Sequence, residues 1–469
     1  MSRAISKPGT LSDNNVATRD AGLVVLRDGI YDDQGRDDQH GWWLLYRGVK
    51  SILRCDNAET IHGIAGFVVS QQWGLRFLAE LIEQTRGSPI PAAIALIAGV
   101  KSYRSVREPE RAGEMVWIAR FDNERKAIEP LTRLLGDIQW SEIGFTHTPS
   151  WNGLSTLLRT VVRRPALFWR LGRFAHRLHR RYEFFRVMRV VELIAYYSRY
   201  VDLFRAGRFR LAVTSNHSNP HGIALSLVAR RYRVPTVLIA HGMPVRPVAR
   251  LHYDVALVHC DVARDIYAED GCRLDRVFVH GRLQDYKAMP SPPSGGFAVG
   301  IFLCKDVNER RLRCLIDQLR AKSWVSRIVV RPHPTNLWAG LESWIDRTGG
   351  IRLSLSANRN LCLDLETCDI VLAGNSSVLV DAVVAGKPAG YVAGLDYGTV
   401  DLHEFVKTGL IPPISLGGGG LDLHSLQSFY QRPGWSAVLR RFANVDEEQS
   451  RVLTRFAASL RKMMQLNCL

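Results

Sequence analysis

Long uncharged apolar runs are missing from this 469-residue sequence. None reaches the roughly 18 residues of a bilayer-spanning helix, so no such helix is expected. The N-terminus, with Gly9, Asp13, Asn14 and Asn15, lacks the apolar core of a signal peptide. Eight cysteines (Cys55, Cys260, Cys272, Cys304, Cys314, Cys362, Cys368, Cys468) form no CxxC pair and no regular framework. That excludes a zinc ribbon and a disulfide scaffold and reads as reduced thiols in a cytoplasmic protein. There is no HExxH, no Cys/His cluster and no carboxylate triad, so neither a metal nor a cofactor is expected. Acidic residues are in deficit, 45 against 62 Lys and Arg, for a net charge of +17. The surplus points to an anionic partner: a phosphate-bearing ligand, an acidic lipid surface or an acidic glycan. Without a finger, RNP or helix-turn-helix signature, nucleic acid is not the expected partner.

What is present is a folded α/β chain too long for one core. Residues 1–20 are polar and expected to be disordered. Asp32, Asp33, Asp37 and Asp38 stand among Gly and Gln and read as a solvated turn, not as an Asp-x-Asp metal pair. Beyond them strands and helices alternate: a helix over 71–86, strands over 91–100 and 115–120, a helix over 123–135. The rhythm resumes with strands over 209–215, 236–240, 254–258 and 277–279, and helices over 223–231 and 262–269. Pro290–Gly296 is the clearest linker. After it come strands over 298–303, 327–330, 351–355, 370–373 and 389–392, helices over 308–320 and 361–368, and a helical tail. The expected architecture is two Rossmann-like domains, 21–289 and 297–445, facing a cleft, with a C-terminal helix over 446–469.

The stretch 151–205 breaks the alternation. It is helical and basic: between 159 and 189 arginines such as Arg163, Arg164, Arg173 and Arg177 face a single acid, Glu183, and alternate with Phe168, Trp169, Phe174 and Phe184. Arginines beside large apolar groups suit a helix lying on an anionic inner-membrane surface, which would make the protein peripheral there. The alternative is a helical hairpin packed on the sheet with a solvated arginine face.

Two strand ends of the second domain carry chemistry. In the first, Arg331-Pro332-His333-Pro334 places a guanidinium and an imidazole after a strand, held by two prolines. Arg331 is suited to gripping a phosphate bidentately, and His333 to donating to a phosphate or ribose oxygen. In the second, the run Ile370–Ala373 leads into Gly374-Asn375-Ser376-Ser377 and a helix closed by Gly386 and Pro388. Backbone N–H groups and two hydroxyls at such a strand–turn–helix form an anion site, unless the serines only cap the helix. The four-glycine loop Gly417–Gly420 lacks helix-start context. In the first domain His241-Gly242 ends a buried strand, with His241 either a general base on an acceptor hydroxyl or a binding group. Gly242 keeps space open beside the imidazole. His217 and His221, in Asn216–Gly222, are rivals for the same cleft, and Arg246 is placed to meet an anionic acceptor. Asp122, Glu124 and Glu142 lie near strand ends without a recognisable motif.

This order of motifs resembles the GT-B glycosyltransferases over roughly 210–395. It is most similar to the bacterial surface-polysaccharide branch with HP and SS motifs: capsule polysialyltransferases, Kdo transferases and CDP-glycerol glycerophosphotransferases. The resemblance implies a metal-independent transferase, moving a sugar or polyol phosphate from a CMP- or CDP-linked donor to a glycan or lipid-linked glycan of a capsule, O-antigen or other surface polymer. It implies donor binding by Arg331, His333, Gly374, Asn375, Ser376 and Ser377. The glycerophosphotransferases' His-Gly base maps onto His241. Two other readings share the fold: a UDP-N-acetylglucosamine 2-epimerase-like enzyme, and a non-catalytic scaffold in polysaccharide assembly.

Overall fold

Two six-stranded sheets organise the computed structural model, which describes residues 47–49, 113–120, 122–145, 184–207, 209–246, 248–280, 296–304, 307–333, 340–348, 353–356, 361–396, 401–416, 421–443 and 448–466. The expected tail 1–20, the helix over 71–86, the strand over 91–100, the acids Asp32–Asp38, the arginine-rich 151–183, most of the linker and the four-glycine loop lie outside these residues.

The first sheet contains β1 (Met115–Ile118), β2 (Trp140–Ile143), β3 (Leu211–Thr214), β4 (Thr236–Ile239), β6 (Val255–Val258) and β8 (Val277–Val279). Their order is β2-β1-β3-β4-β6-β8 and every pairing is parallel. The two-residue β5 (His252–Tyr253) and β7 (Arg273–Leu274) form a separate ribbon. Helices α1 (Asp122–Leu134), α2 (Phe184–Ala206), α3 (Pro220–Arg231) and α4 (Asp261–Glu269) belong to this half. Strands such as β3 and β4 are buried at every position, as parallel strands covered on both faces must be, which is why they read as continuous apolar runs.

Helix α2 is the end of the basic 151–205 segment, and the arginine-rich 151–183 that suggested a membrane surface lies outside the described residues. The helix itself is a core helix. Val190, Leu193, Tyr196, Tyr197 and Tyr200 are buried along it, against the buried Ile223, Ala224 and Val228 of α3. Two of its charges turn inward: Glu192 accepts from Arg120 Nη1 at 2.6 Å, and Arg189 donates to the Ser218 carbonyl at 2.7 Å.

The second sheet contains β9 (Phe297–Phe302), β10 (Val325–Arg331), β11 (Leu353–Leu355), β12 (Ile370–Ala373), β13 (Ala389–Val392) and the edge pair β14 (Pro413–Ile414). The order β11-β10-β9-β12-β13-β14, again all parallel, is the doubly wound order of a dinucleotide-binding fold, reversing direction between β9 and β12. Helices α5 (Glu309–Arg320), α6 (Leu341–Thr348), α7 (Leu361–Thr367), α8 (Val378–Val384), α9 (Leu423–Gln431) and α10 (Trp435–Phe442) follow in chain order.

The last helix, α11 (Gln449–Leu466), comes after the second domain in sequence but packs on the first. Its buried Val452, Phe456, Ala457, Leu460 and Met464 join Met115, Ile128, Leu131, Val237 and Val255 in one apolar cluster. Phe456 meets Phe278 edge-on at 5.3 Å, and Arg210 Nη2 donates to the Met464 carbonyl at 2.6 Å. The chain therefore crosses between the halves twice. Two parallel α/β domains with a returning C-terminal helix form the GT-B arrangement that the sequence implies. Phe456→Ala should cost ~3–5 kcal/mol in a denaturant titration, as truncation of a fully buried aromatic does.

Candidate functional site

Every strand of both sheets runs the same way within its sheet, so the loops that follow the strands gather at one edge. In the first domain three such loops interlock, those after β1, β3 and β4. The loop after β3 is built by Asn216. Its Oδ1 accepts from the backbone N–H groups of Ser218 (3.0 Å) and Asn219 (2.7 Å), an Asx turn, while its Nδ2 donates to Glu124 Oε1 at 2.6 Å. Pro220 then opens α3. A Cβ on Gly222 would lie 1.9 Å from the Asn216 carbonyl oxygen, so only glycine lets the helix start this close to the loop.

Glu124, fully buried at the start of α1, ties this loop to the one after β1. It also accepts from the Arg120 N–H at 2.7 Å, and His221 Nε2 lies 3.5 Å from its Oε2. Burial alone would raise its pKa. The bonds and charge of His221, with those of the Arg120 N–H and Asn216, outweigh that and hold the carboxyl down at about 2. His221 is completely buried, packed edge-on against Phe145 and Tyr196 at 5.6 and 6.1 Å. It faces the core and the carboxylate of Glu124. Of the three acids considered from the sequence, Glu124 is the one bound into the site. Glu142 pairs with Arg125.

His241 follows β4. Its Nδ1 lies 2.6 Å from the Ser215 carbonyl oxygen and 3.2 Å from the Ser215 hydroxyl. A carbonyl oxygen only accepts, so Nδ1 carries the proton and Nε2 keeps its lone pair in the neutral ring. That is the tautomer a general base requires. A Cβ on the adjoining Gly242 would meet nothing within 4 Å, so the space at Gly242 is open among the described residues. His217 is buried, with Nδ1 2.8 Å from the Tyr267 hydroxyl. Burial, with the nearby His241, pushes its pKa down to about 3. It is therefore neutral across the physiological range and is a hydrogen-bonding group, not a cation.

In the second domain the loop after β12 is bolted to the loop after β13. The Asn375 N–H and Nδ2 donate to the two oxygens of Asp396 at 2.6 and 3.2 Å, and Asn375 Oδ1 accepts from the Leu402 N–H at 2.8 Å. A Cβ on Gly374 would stand 2.6 Å from Asp396 Oδ2. Gly374 and Asn375 thus shape the loop. Ser376 Oγ accepts from the Val378 N–H at 3.4 Å, while Ser377, at the N-cap position of α8, makes no side-chain capping bond. The sequence left open whether the serines only cap. One caps weakly and the other does not cap. Gly386, at φ 75°, closes the helix as expected, with Lys387 N–H bonded to the Ala382 carbonyl.

Arg331 is the last residue of β10, and its Nη1 pairs with the Asp364 carboxylate, which also accepts from Ser356 Oγ at 2.7 Å. Asp364 is 1% exposed. Arg331 neutralises this buried carboxylate through Nη1. His333 lies two residues beyond, half-buried at the strand's carboxyl end. Arg246 is likewise engaged: it pairs with Glu269, with Asp270 Oδ1 at 3.0 Å and, from Nε, with Glu404 Oε1 at 3.3 Å. Burial works against its charge, but the carboxylates prevail and raise its pKa.

Residues that sequence reasoning missed are the partners: Ser215, Tyr267, Asp364, Asp396 and Glu404. None sits in a motif, and each is joined to its site by tertiary contact. Among the described residues His252, Asp254 and Asp275 could together offer a metal three ligand atoms. His252 and Asp275 are already bonded at 2.5 Å, and Asp254 accepts from the Thr236 N–H and hydroxyl.

No family profile matches the chain, and no curated protein sequence does. Solved structures with similar folds include a putative UDP-N-acetylglucosamine 2-epimerase from Listeria monocytogenes, 10% identical, covering 74% of this chain and 95% of that one at a TM-score of 0.45. The glycosyltransferase SnogD from Streptomyces nogalater is 14% identical over 75% of this chain and 98% of its own, at 0.42. Anabaena Alr3699/HepE, solved in complex with UDP-glucose, is 13% identical over 75% of this chain and 100% of its own, at 0.40. At these scores the likeness says nothing of chemistry, and the fold rests on the sheet orders above.

Two outcomes follow from the buried charges. Arg331→Ala should destabilise by ~3–5 kcal/mol in denaturant, because it strands Asp364 without a counter-charge. Glu124 has a depressed pKa, so its contribution is present above its ordinary value of 4.5 and is lost as pH falls toward about 2. Between pH 6 and pH 2 the wild type should therefore lose on the order of 3 kcal/mol more than Glu124→Gln, measured by denaturation at each pH.

Proposed function

We propose that the protein is a GT-B transferase that uses a nucleotide-activated donor, with the second domain holding the donor and the first domain the acceptor. The observation that carries this reading is that carboxyl-end loops of the two sheets meet. The loop after β4, which bears His241, touches the loop after β13, which is bonded to Asn375, through Arg246 and Glu404 at 3.3 Å. Ligands of doubly wound sheets bind outside the carboxyl ends at the reversal of strand order. In the second sheet that reversal is flanked by His333 after β10 and by Ser376 and Ser377 after β12, with β9 between.

The chemistry follows from what these groups can do. The leaving nucleotide phosphate needs donors and no competing carboxylate. The hydroxyls of Ser376 and Ser377, the N–H groups at the start of α8 and the imidazole of His333 supply them. His241 takes the proton of the acceptor hydroxyl on Nε2. The acceptor oxygen bonds to the transferred group as the bond to the phosphate oxygen breaks, and the nucleotide leaves with the electron pair. Ser215 holds the ring in the required tautomer. Neutral His217, held by Tyr267, and the open space at Gly242 border the acceptor side. Arg331, Gly374 and Asn375 act in this reading by shaping the donor loops. A cytidine donor and a surface-polysaccharide product remain the finer form of the proposal, supported by the HP- and SS-like motifs.

A thermal-shift panel of CMP, CDP, UMP, UDP and GDP tests it. One nucleotide at ~100 times its Kd should stabilise the wild type by about 2.7 kcal/mol. The double change Ser376→Ala, Ser377→Ala should weaken that nucleotide about tenfold or more, a loss of ~1.4 kcal/mol. Silence across the panel, or equal binding by the double variant, would contradict the proposal.

A further inference from the structure

The contact between Arg246 and Glu404 has features that a simple surface ion pair lacks. Glu404 is a non-glycine residue in the left-handed region, at φ 57°, a conformation costing of order 1 kcal/mol or more unless its surroundings enforce it. The turn around it is pinned: Thr408 N–H and Oγ1 both donate to the Glu404 carbonyl (2.9 and 2.6 Å), and Val406 N–H donates to Asp401 Oδ2 at 2.6 Å. Two residues before Glu404, the Leu402 N–H is held by Asn375 Oδ1. Asn375 adjoins Ser376. The carboxylate is thus carried on a short rigid arm that starts at the donor loop.

On the other side, Arg246 is five residues beyond His241. Its guanidinium is anchored by Glu269 and Asp270 at the end of α4, and Asp270 Oδ2 also holds the Val248 N–H at 2.8 Å. Two carboxylates of its own domain would already neutralise it. The third, from the other domain, adds a negative charge to a cluster that does not need one, so its placement serves geometry. Nε lies within ion-pair distance of Glu404 Oε1, yet this buried N–H is not aimed at an acceptor. Lys407 Nζ, 2.8 Å from the same Oε1, balances the surplus charge.

We propose that Arg246 and Glu404 are positioning residues: their pairing sets the register between the His241 loop and the Ser376–Ser377 loop. The inference deepens the donor–acceptor reading above and rests on it for its catalytic consequence, while its structural consequence stands alone. Neither residue touches substrate. Loss of the pair leaves each half-site intact and lets the distance between them vary.

Glu404→Gln is the test variant, since it keeps the arm and removes the charge, and Glu404→Asn is its companion because asparagine tolerates the left-handed backbone. In the unliganded full-length protein, spin labels on the exposed Cys362 of the second domain and on an introduced Arg133→Cys of the first report the separation. The wild type should give a narrow distance distribution at low salt and at roughly 1 M salt, since a largely buried pair is screened far less than an exposed one. Both Glu404 variants should be broad at low salt. Distributions coinciding with the wild type would overturn the proposal. In the assay of transfer, Glu404→Gln should keep nucleotide affinity within about twofold and lower kcat about tenfold or more at saturating donor. Unchanged kcat would also overturn it. Absence of nucleotide binding by the wild type would refute the transferase reading and leave the distance measurement to judge the pairing.

Discussion

The direction of the strands is the constraint on which the rest depends. Because both sheets are parallel throughout, each strand must be followed by a crossover, and the loops that begin those crossovers collect along one edge of each domain. His217, His241, His333, Ser376 and Ser377 come from distant parts of the chain. All follow strands. The orders β2-β1-β3-β4-β6-β8 and β11-β10-β9-β12-β13-β14 then decide which loops are neighbours. Helix α11, laid on the first sheet by Val452, Phe456 and Leu460, and the contact of Arg246 with Glu404 keep the two edges together.

Buried carboxylates do the local shaping. Glu124, Asp364 and Asp396 are each almost wholly removed from water, which is tolerable only with partners that satisfy their oxygens. Each finds those partners on a strand-end loop: Asn216 and the Arg120 N–H, Arg331 and Ser356, Asn375. Fixing a loop in this way removes some polar groups from possible ligand contact and leaves others. Asn375 and Arg331 are used internally, while Ser377 makes no side-chain capping bond. The division of labour explains why a phosphate site here would rely on hydroxyls, imidazole and backbone N–H groups more than on arginine, despite the chain's net charge of +17.

Much of the fold was legible because the buried parallel strands are short apolar runs bounded by Gly, Pro and Asn. Ile370–Ala373, Thr236–Ile239 and Val277–Val279 were readable nearly to the residue. The edge strands were not. Trp140–Ile143 alternates buried and half-buried positions around Ser141 and Glu142, and Pro413–Ile414 is two residues long, so neither has the apolar run that marks a central strand. The partners of helix α2, Arg120 for its Glu192 and the Ser218 carbonyl for its Arg189, were not legible either, because they are visible only in three dimensions. The strand-end motifs were found where they lie. The inward roles of Arg331, Asn375, His221 and Arg246 were not, because each depends on a carboxylate far away in sequence: Asp364, Asp396, Glu124 and Glu404.

The measurement that bears most directly on the central claim is an experimental structure of the full-length protein with the tightest-binding nucleoside diphosphate. The expected result is a phosphate against the Ser376 and Ser377 hydroxyls and the N–H groups opening α8, within reach of His333, with the nucleotide lying outside the carboxyl ends of β9 and β12. A nucleotide bound elsewhere, with these serines and His333 untouched, would contradict the claim that this edge of the second sheet is the donor site.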